Sequence, residues 1–115
     1  DASFYTDGEF VPVTGPRNTN LTMEVTDTGS VKGANKRACY KAVVGGSSIC
    51  GDTVGAGRTA SVSIPPSAVE IGYQLYIPHY AFSQDNIFKV GIVLEGPDTV
   101  LLVDQQDFFW ANRRD

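Results

Sequence analysis

Few residues in this 115-residue chain have the types and spacing that catalysis needs. The single histidine, His79, stands near Ser83 and Asp85. Ser, His and Asp together can make a nucleophile, its base and the group that orients the base, in any chain order. Ser83 has no Gly-x-Ser-x-Gly elbow around it and no oxyanion motif beside it. His79 therefore reads as a structural, surface or binding residue. Glycoside hydrolysis needs two opposed carboxylates at a set separation. Glu24, Glu70 and Glu95 are available, but sequence spacing assigns none of them an acid or base role. The chain is expected not to be an enzyme, with a small carboxylate-dependent glycoside hydrolase kept as an alternative.

Metal and nucleotide chemistry are no better supported. Cys39, Cys50 and His79 lack the compact paired spacing of a zinc site. Asp27, Asp52, Asp98, Asp104 and Asp107 offer oxygen ligands for calcium, without the EF-hand pattern. Gly55-Ala56-Gly57-Arg58-Thr59 lacks both the Walker spacing and its Lys-Ser/Thr ending. It reads as a loop. No metal site and no cofactor is expected.

The two cysteines carry more information. Between Cys39 and Cys50 the chain runs from an apolar strand-like arm, Arg37 to Val44, through Gly45-Gly46 and back to Ile49. That is a hairpin pattern closed by a disulfide. If Cys39 lies opposite Cys50, Tyr40 opposes Ile49, Lys41 opposes Ser48, and Val44-Gly45 makes the turn. A turn centred on Gly45-Gly46 shifts the register and sets the cysteines on a diagonal. A disulfide implies an oxidising compartment, extracellular or at the cell surface, with the periplasm as alternative. Asp1 in place of an initiator Met fits a processed product, and trimming of the chain gives the same start.

Binding residues are sought among aromatics and charges. Gly72 to Phe82 is the most aromatic stretch. In extended form Tyr73, Leu75, Ile77 and His79 share one face, and Tyr76, Tyr80 and Phe82 the other. Burial of the first face would expose an aromatic stripe able to stack on a sugar or anchor a protein. Net charge is −4, which argues against nucleic acid and anionic membranes as partners. Yet Val31 to Arg58 holds five basic residues (Lys32, Lys36, Arg37, Lys41 and Arg58) against one acidic, Asp52. Lys36, Arg37 and Lys41 could face an acidic partner. Asn20-Leu21-Thr22 matches an N-glycosylation acceptor, though inside a strand it would be poorly accessible.

These residues need a framework, and the hydrophobic period supplies one. Leu21, Met23 and Val25 alternate with Thr22, Glu24 and Thr26, the period of a half-buried strand. Ala60, Val62 and Ile64 repeat the pattern before Pro65-Pro66 stops it. Phe88, Val90, Ile92 and Leu94 form another strand, which Gly96-Pro97-Asp98 turns back into 99–103. Asp104 to Trp110 reads as a short helix or an aromatic edge strand, Ser67 to Ile71 as a brief helical turn, and Asp27 to Lys36 as polar turns. Tyr5 to Phe10 reads as an edge hairpin or turn around Asp7-Gly8, and within Asp1 to Val13 Pro12 disfavours a central strand because it cannot donate to a ladder. No run of 18 apolar residues occurs, so no membrane-spanning helix is expected.

The expected fold is a single all-β domain over 1–115: an antiparallel β-sandwich of about seven or eight short strands, with a small barrel as alternative. The expected function is noncatalytic recognition of a protein or carbohydrate by a secreted or cell-surface domain through an aromatic surface. A secreted inhibitor, immunity or effector protein acting through the basic 36–50 hairpin is the alternative. Sugar, partner and oligomeric state stay open.

Overall fold

The computed structural model describes residues 7–16, 18–80, 86–97 and 101–110, with 86–88 and 101–110 as backbone. Eight strands run in chain order: β1 (Phe10–Val13), β2 (Leu21–Asp27), β3 (Asn35–Lys41), β4 (Ser48–Cys50), β5 (Thr59–Ile64), β6 (Glu70–Tyr76), β7 (Asn86–Glu95) and β8 (Leu101–Trp110). They form two four-stranded sheets, ordered β1-β6-β3-β4 and β5-β2-β7-β8. Every strand pairing is antiparallel. Each sheet keeps two edges, so the fold is a sandwich and not a closed barrel.

The core follows from the alternation. Met23, Val25 and Leu21 of β2 face inward with Val90, Ile92 and Leu94 of β7. Tyr73, Leu75 and Ile71 of β6 meet them from the other sheet, with Val11 and Val13 of β1. Burial of this apolar surface is the main stabilising term, at about 25 cal/mol per Å². The β5 span matches the sequence expectation, and so does β7. Residues 104–110 extend β8, the edge-strand reading of that segment. Pro12 lies on edge strand β1, as its missing N–H requires.

Several boundaries differ from expectation, each for a local reason. A turn closed by Ala68 N–H to the Pro65 carbonyl (3.1 Å) replaces the helical turn, and β6 already starts at Glu70. The aromatic alternation stops at Tyr76. Two residues on, Pro78 cannot donate to a ladder, and His79 and Tyr80 curl into a short 3₁₀ turn. Strand β3 begins at Asn35, two residues before its expected start at Arg37, and ends at Lys41, three residues before the expected Val44, where the hairpin loop begins. Asp27 and Lys36, expected in turns, end β2 and lie inside β3 respectively. Both side chains face the core.

Candidate functional site

Of the two hairpin registers open from the sequence, the β3–β4 pair adopts the one with the cysteines directly opposed. Cys39 pairs with Cys50, Tyr40 with Ile49 and Lys41 with Ser48. The Cys39–Cys50 disulfide joins α-carbons 4.1 Å apart, the close approach typical of a non-hydrogen-bonded antiparallel pair. Val44 and Gly45 are the central turn residues, because Gly46 N–H donates to the Val43 carbonyl at 3.0 Å. Gly45 has φ 75°, as the third position of a type II turn demands. The ladder stops at Lys41 and Ser48, so residues 42–47 project as a loop beyond it.

The loop and the adjoining β4 strand are apolar where solvent should favour polar groups. Val43 is 61 % exposed, Val44 84 % and Ile49 46 %. They are three of the four exposed large hydrophobic residues among those described; Tyr80, at 44 %, is the fourth.

Alternation places Arg37 and Lys41 of β3 on the outer face of the first sheet, beside Gln74 and Tyr76 of β6 and Phe10 of β1. Arg37 Nε donates to Gln74 Oε1 at 2.8 Å, and Tyr76 Oη donates to the same oxygen at 3.0 Å. The Arg37 guanidinium stands over the Tyr76 ring, 5.2 Å from its centroid. Lys41 Nζ lies 4.6 Å from the Phe10 ring centroid and 3.8 Å from Glu70 Oε2. Cation–ring contacts of this kind contribute about 0.5–1 kcal/mol at exposed sites. Their main effect here is to hold two long cationic side chains in fixed positions. Gly72 makes room for the Phe10 ring, whose nearest atoms would lie 2.8 and 2.9 Å from a β-carbon at this position.

The expected binding residues are thus only partly brought together. Arg37, Lys41 and Tyr76 share the outer face. Tyr80 stands apart in the turn after Pro78, and Phe82 lies outside the described residues. Lys36 does not belong to an exposed basic arm. It points into the sandwich, 1 % exposed, because alternation on β3 sends residues 36 and 38 to the core. There Lys36 Nζ meets Asp27 Oδ1 at 2.8 Å. Asp27 is 1 % exposed, which removes it from the surface calcium ligands considered above. Phe10 was missed as a site residue, since only the β1–β6 pairing brings it toward Lys41.

The Lys36–Asp27 pair crosses between the sheets, from β3 to β2. Residues 51–58 brace both ends. Lys36 N–H donates to the Val54 carbonyl at 3.0 Å, and Val54 N–H returns a bond of 2.8 Å. Asp27 N–H donates to the Arg58 carbonyl at 3.1 Å, while Gly57 N–H reaches the Asp27 carbonyl at 2.7 Å. Gly29 N–H donates to Asp27 Oδ1 at 3.0 Å. Burial pushes the Lys36 amine below its usual value of 10.5, against the opposing hydrogen bond and charge of Asp27.

Elsewhere, an open groove of about 630 Å³ is lined in part by Asn20, Thr22, Tyr40, Ser63 and Glu95. Asn20 precedes β2 and is exposed, as is Thr22, so this acceptor motif is sterically open. His79 is exposed. No group of three or more His, Cys, Asp or Glu able to hold a metal occurs among the described residues. Nor is any helix among them long and apolar enough to cross a membrane. No family model, curated protein or solved structure matches this chain.

Proposed function

We propose that this chain is a noncatalytic recognition domain of the extracellular space or cell surface, binding a protein partner through its β3–β4 hairpin. The observation that carries the reading is the concentration of exposed apolar side chains, Val43, Val44 and Ile49, on one hairpin. Apolar groups held out to water by a covalently closed loop gain free energy when a partner covers them. The disulfide reduces the ordering cost of binding, since the loop ends are fixed beforehand. Arg and Tyr are enriched among residues that dominate protein interfaces, and Arg37 and Tyr76 flank the hairpin on the same sheet. The partner this surface suits offers an apolar recess with an acidic rim facing Arg37 and Lys41. An inhibitor or effector acting on one target is a special case of this reading. A disulfide also suits an oxidising compartment.

A carbohydrate is the second reading, favoured by the groove that sets one tyrosine ring, Tyr40, among Asn20, Thr22, Ser63 and Glu95. The test is a parallel screen of the oxidised protein against extracellular protein ectodomains and against glycans. Protein binding lost in a Val43→Ser/Val44→Ser variant supports the first reading. Glycan binding lost in Glu95→Gln and kept in the hairpin variant replaces it with the second.

A further inference from the structure

We infer that Lys36 and Asp27 condense into an isopeptide bond, Lys36 Nζ to Asp27 Cγ, that covalently ties one sheet of the sandwich to the other. The geometry is already that of a reactive pair. Nζ lies 2.8 Å from Oδ1, and a carboxyl carbon is about 1.2 Å from its oxygen, so Cγ is within about 4 Å of the amine. The two side chains sit in the core at 2 % and 1 % exposure. Each residue's backbone is held by hydrogen bonds to the 51–58 segment. Reacting groups fixed in this way reach effective concentrations on the order of 10⁵–10⁸ M.

Burial also changes which side of the equilibrium is favoured. In water, hydration of the separate ammonium and carboxylate opposes condensation. Inside the sandwich that hydration is withdrawn, and desolvation penalises both ions of a pair held in a low-dielectric core. The amide product is uncharged. Burial already moves Lys36 toward the neutral amine that attack requires.

The step balances without any co-reactant. The ammonium and carboxylate first share a proton to become amine and carboxylic acid. The Nζ lone pair then forms the Nζ–Cγ bond, and the Cγ–Oδ2 bond breaks. Within the tetrahedral intermediate the proton first taken up by Oδ1 and a second proton from Nζ both pass to Oδ2, which leaves as water; the third original Nζ proton stays on the amide nitrogen. Gly29 N–H, 3.0 Å from Oδ1, stabilises negative charge on the oxygen that remains, as an oxyanion donor does. Oδ2 has no hydrogen-bond partner, so its departure breaks no hydrogen bond.

The linkage deepens none of the partner reading and stands apart from it. It fits a domain that must hold its shape outside the cell. The test is intact mass spectrometry of the folded full chain after disulfide reduction and denaturation. The expected mass is lower than the sequence mass by one water. Proteolysis should yield a branched peptide joining the Asp27 and Lys36 segments. Lys36→Arg keeps a buried cation but has no amine nucleophile, and should show the full sequence mass. Asp27→Asn should reach the wild-type product mass by releasing ammonia. A wild-type chain at full sequence mass, or a water loss that persists in Lys36→Arg, overturns the inference; the wild-type measurement alone decides it even if both variants fail to fold.

Discussion

Gly72 and Asp27 show how single residues set the two working parts of this molecule. At Gly72 a β-carbon would run into the Val11 carbonyl oxygen and lie 2.8 Å from the Phe10 ring. Gly72→Ala is therefore expected to push β1 away from β6 and to displace the ring that holds Lys41. Overpacking of this kind costs about 1–3 kcal/mol, and chemical denaturation should read it as a lower midpoint. Asp27→Ala removes the carboxyl group that Lys36 Nζ meets between the sheets and, by the inference above, condenses with. Breaking one side of a buried pair costs about 3–5 kcal/mol, so this variant should melt well below the wild type in a thermal scan. Neither role was legible from residue type. An aspartate beside Thr-Gly and a lysine beside Gly-Ala-Asn read as turn and surface. Only the earlier start of β3, at Asn35 where the apolar arm was expected to begin at Arg37, puts Lys36 inside the strand and turns it inward. Only the facing of two sheets brings it to Asp27.

Strand pattern and turn chemistry were far more legible. The alternation of residues 21–26 and 59–64 maps directly onto β2 and β5, because one face of each strand is buried and the other solvated. The Cys39–Cys50 spacing left two registers open, and the directly opposed one forms, although a Gly45-Gly46 turn is locally the more favourable. The disulfide needs the close approach of an opposed pair, and Gly45 alone supplies the positive φ of the turn. The aromatic stripe failed beyond Tyr76 for an equally local reason: Pro78 ends the extended segment before Tyr80 can join the face. At this scale the disulfide is expected to stabilise the hairpin and leave the core intact. Cys39→Ser/Cys50→Ser should lower stability by about 3 kcal/mol in the chain-entropy picture. Equilibrium unfolding with and without reductant checks this: reductant should shift the wild type and leave the double variant unmoved. Retention of the sandwich in the double variant, by far-ultraviolet circular dichroism, would place the disulfide's role in the hairpin.

Taken whole, the molecule is a sandwich whose interior is tied between sheets by Lys36 and Asp27, and whose exposed apolar residues collect at one projecting hairpin. The sequence period foretold two layers of short strands. It could not foretell which valines would stay exposed, because Val43 and Val44 are apolar by type and become surface only once the ladder ends at Lys41. Replacing both with serine removes no core contact, so stability should change by no more than about 0.5 kcal/mol. That separation of stability from recognition gives the most direct test of the proposed function. The measurement is the equilibrium affinity of wild type and of Val43→Ser/Val44→Ser for a protein partner found in the ectodomain screen, with melting curves recorded alongside. The expected result is a loss of at least about tenfold in affinity, equivalent to about 1.4 kcal/mol, with an unchanged melting curve. Equal affinity of the two proteins would contradict it.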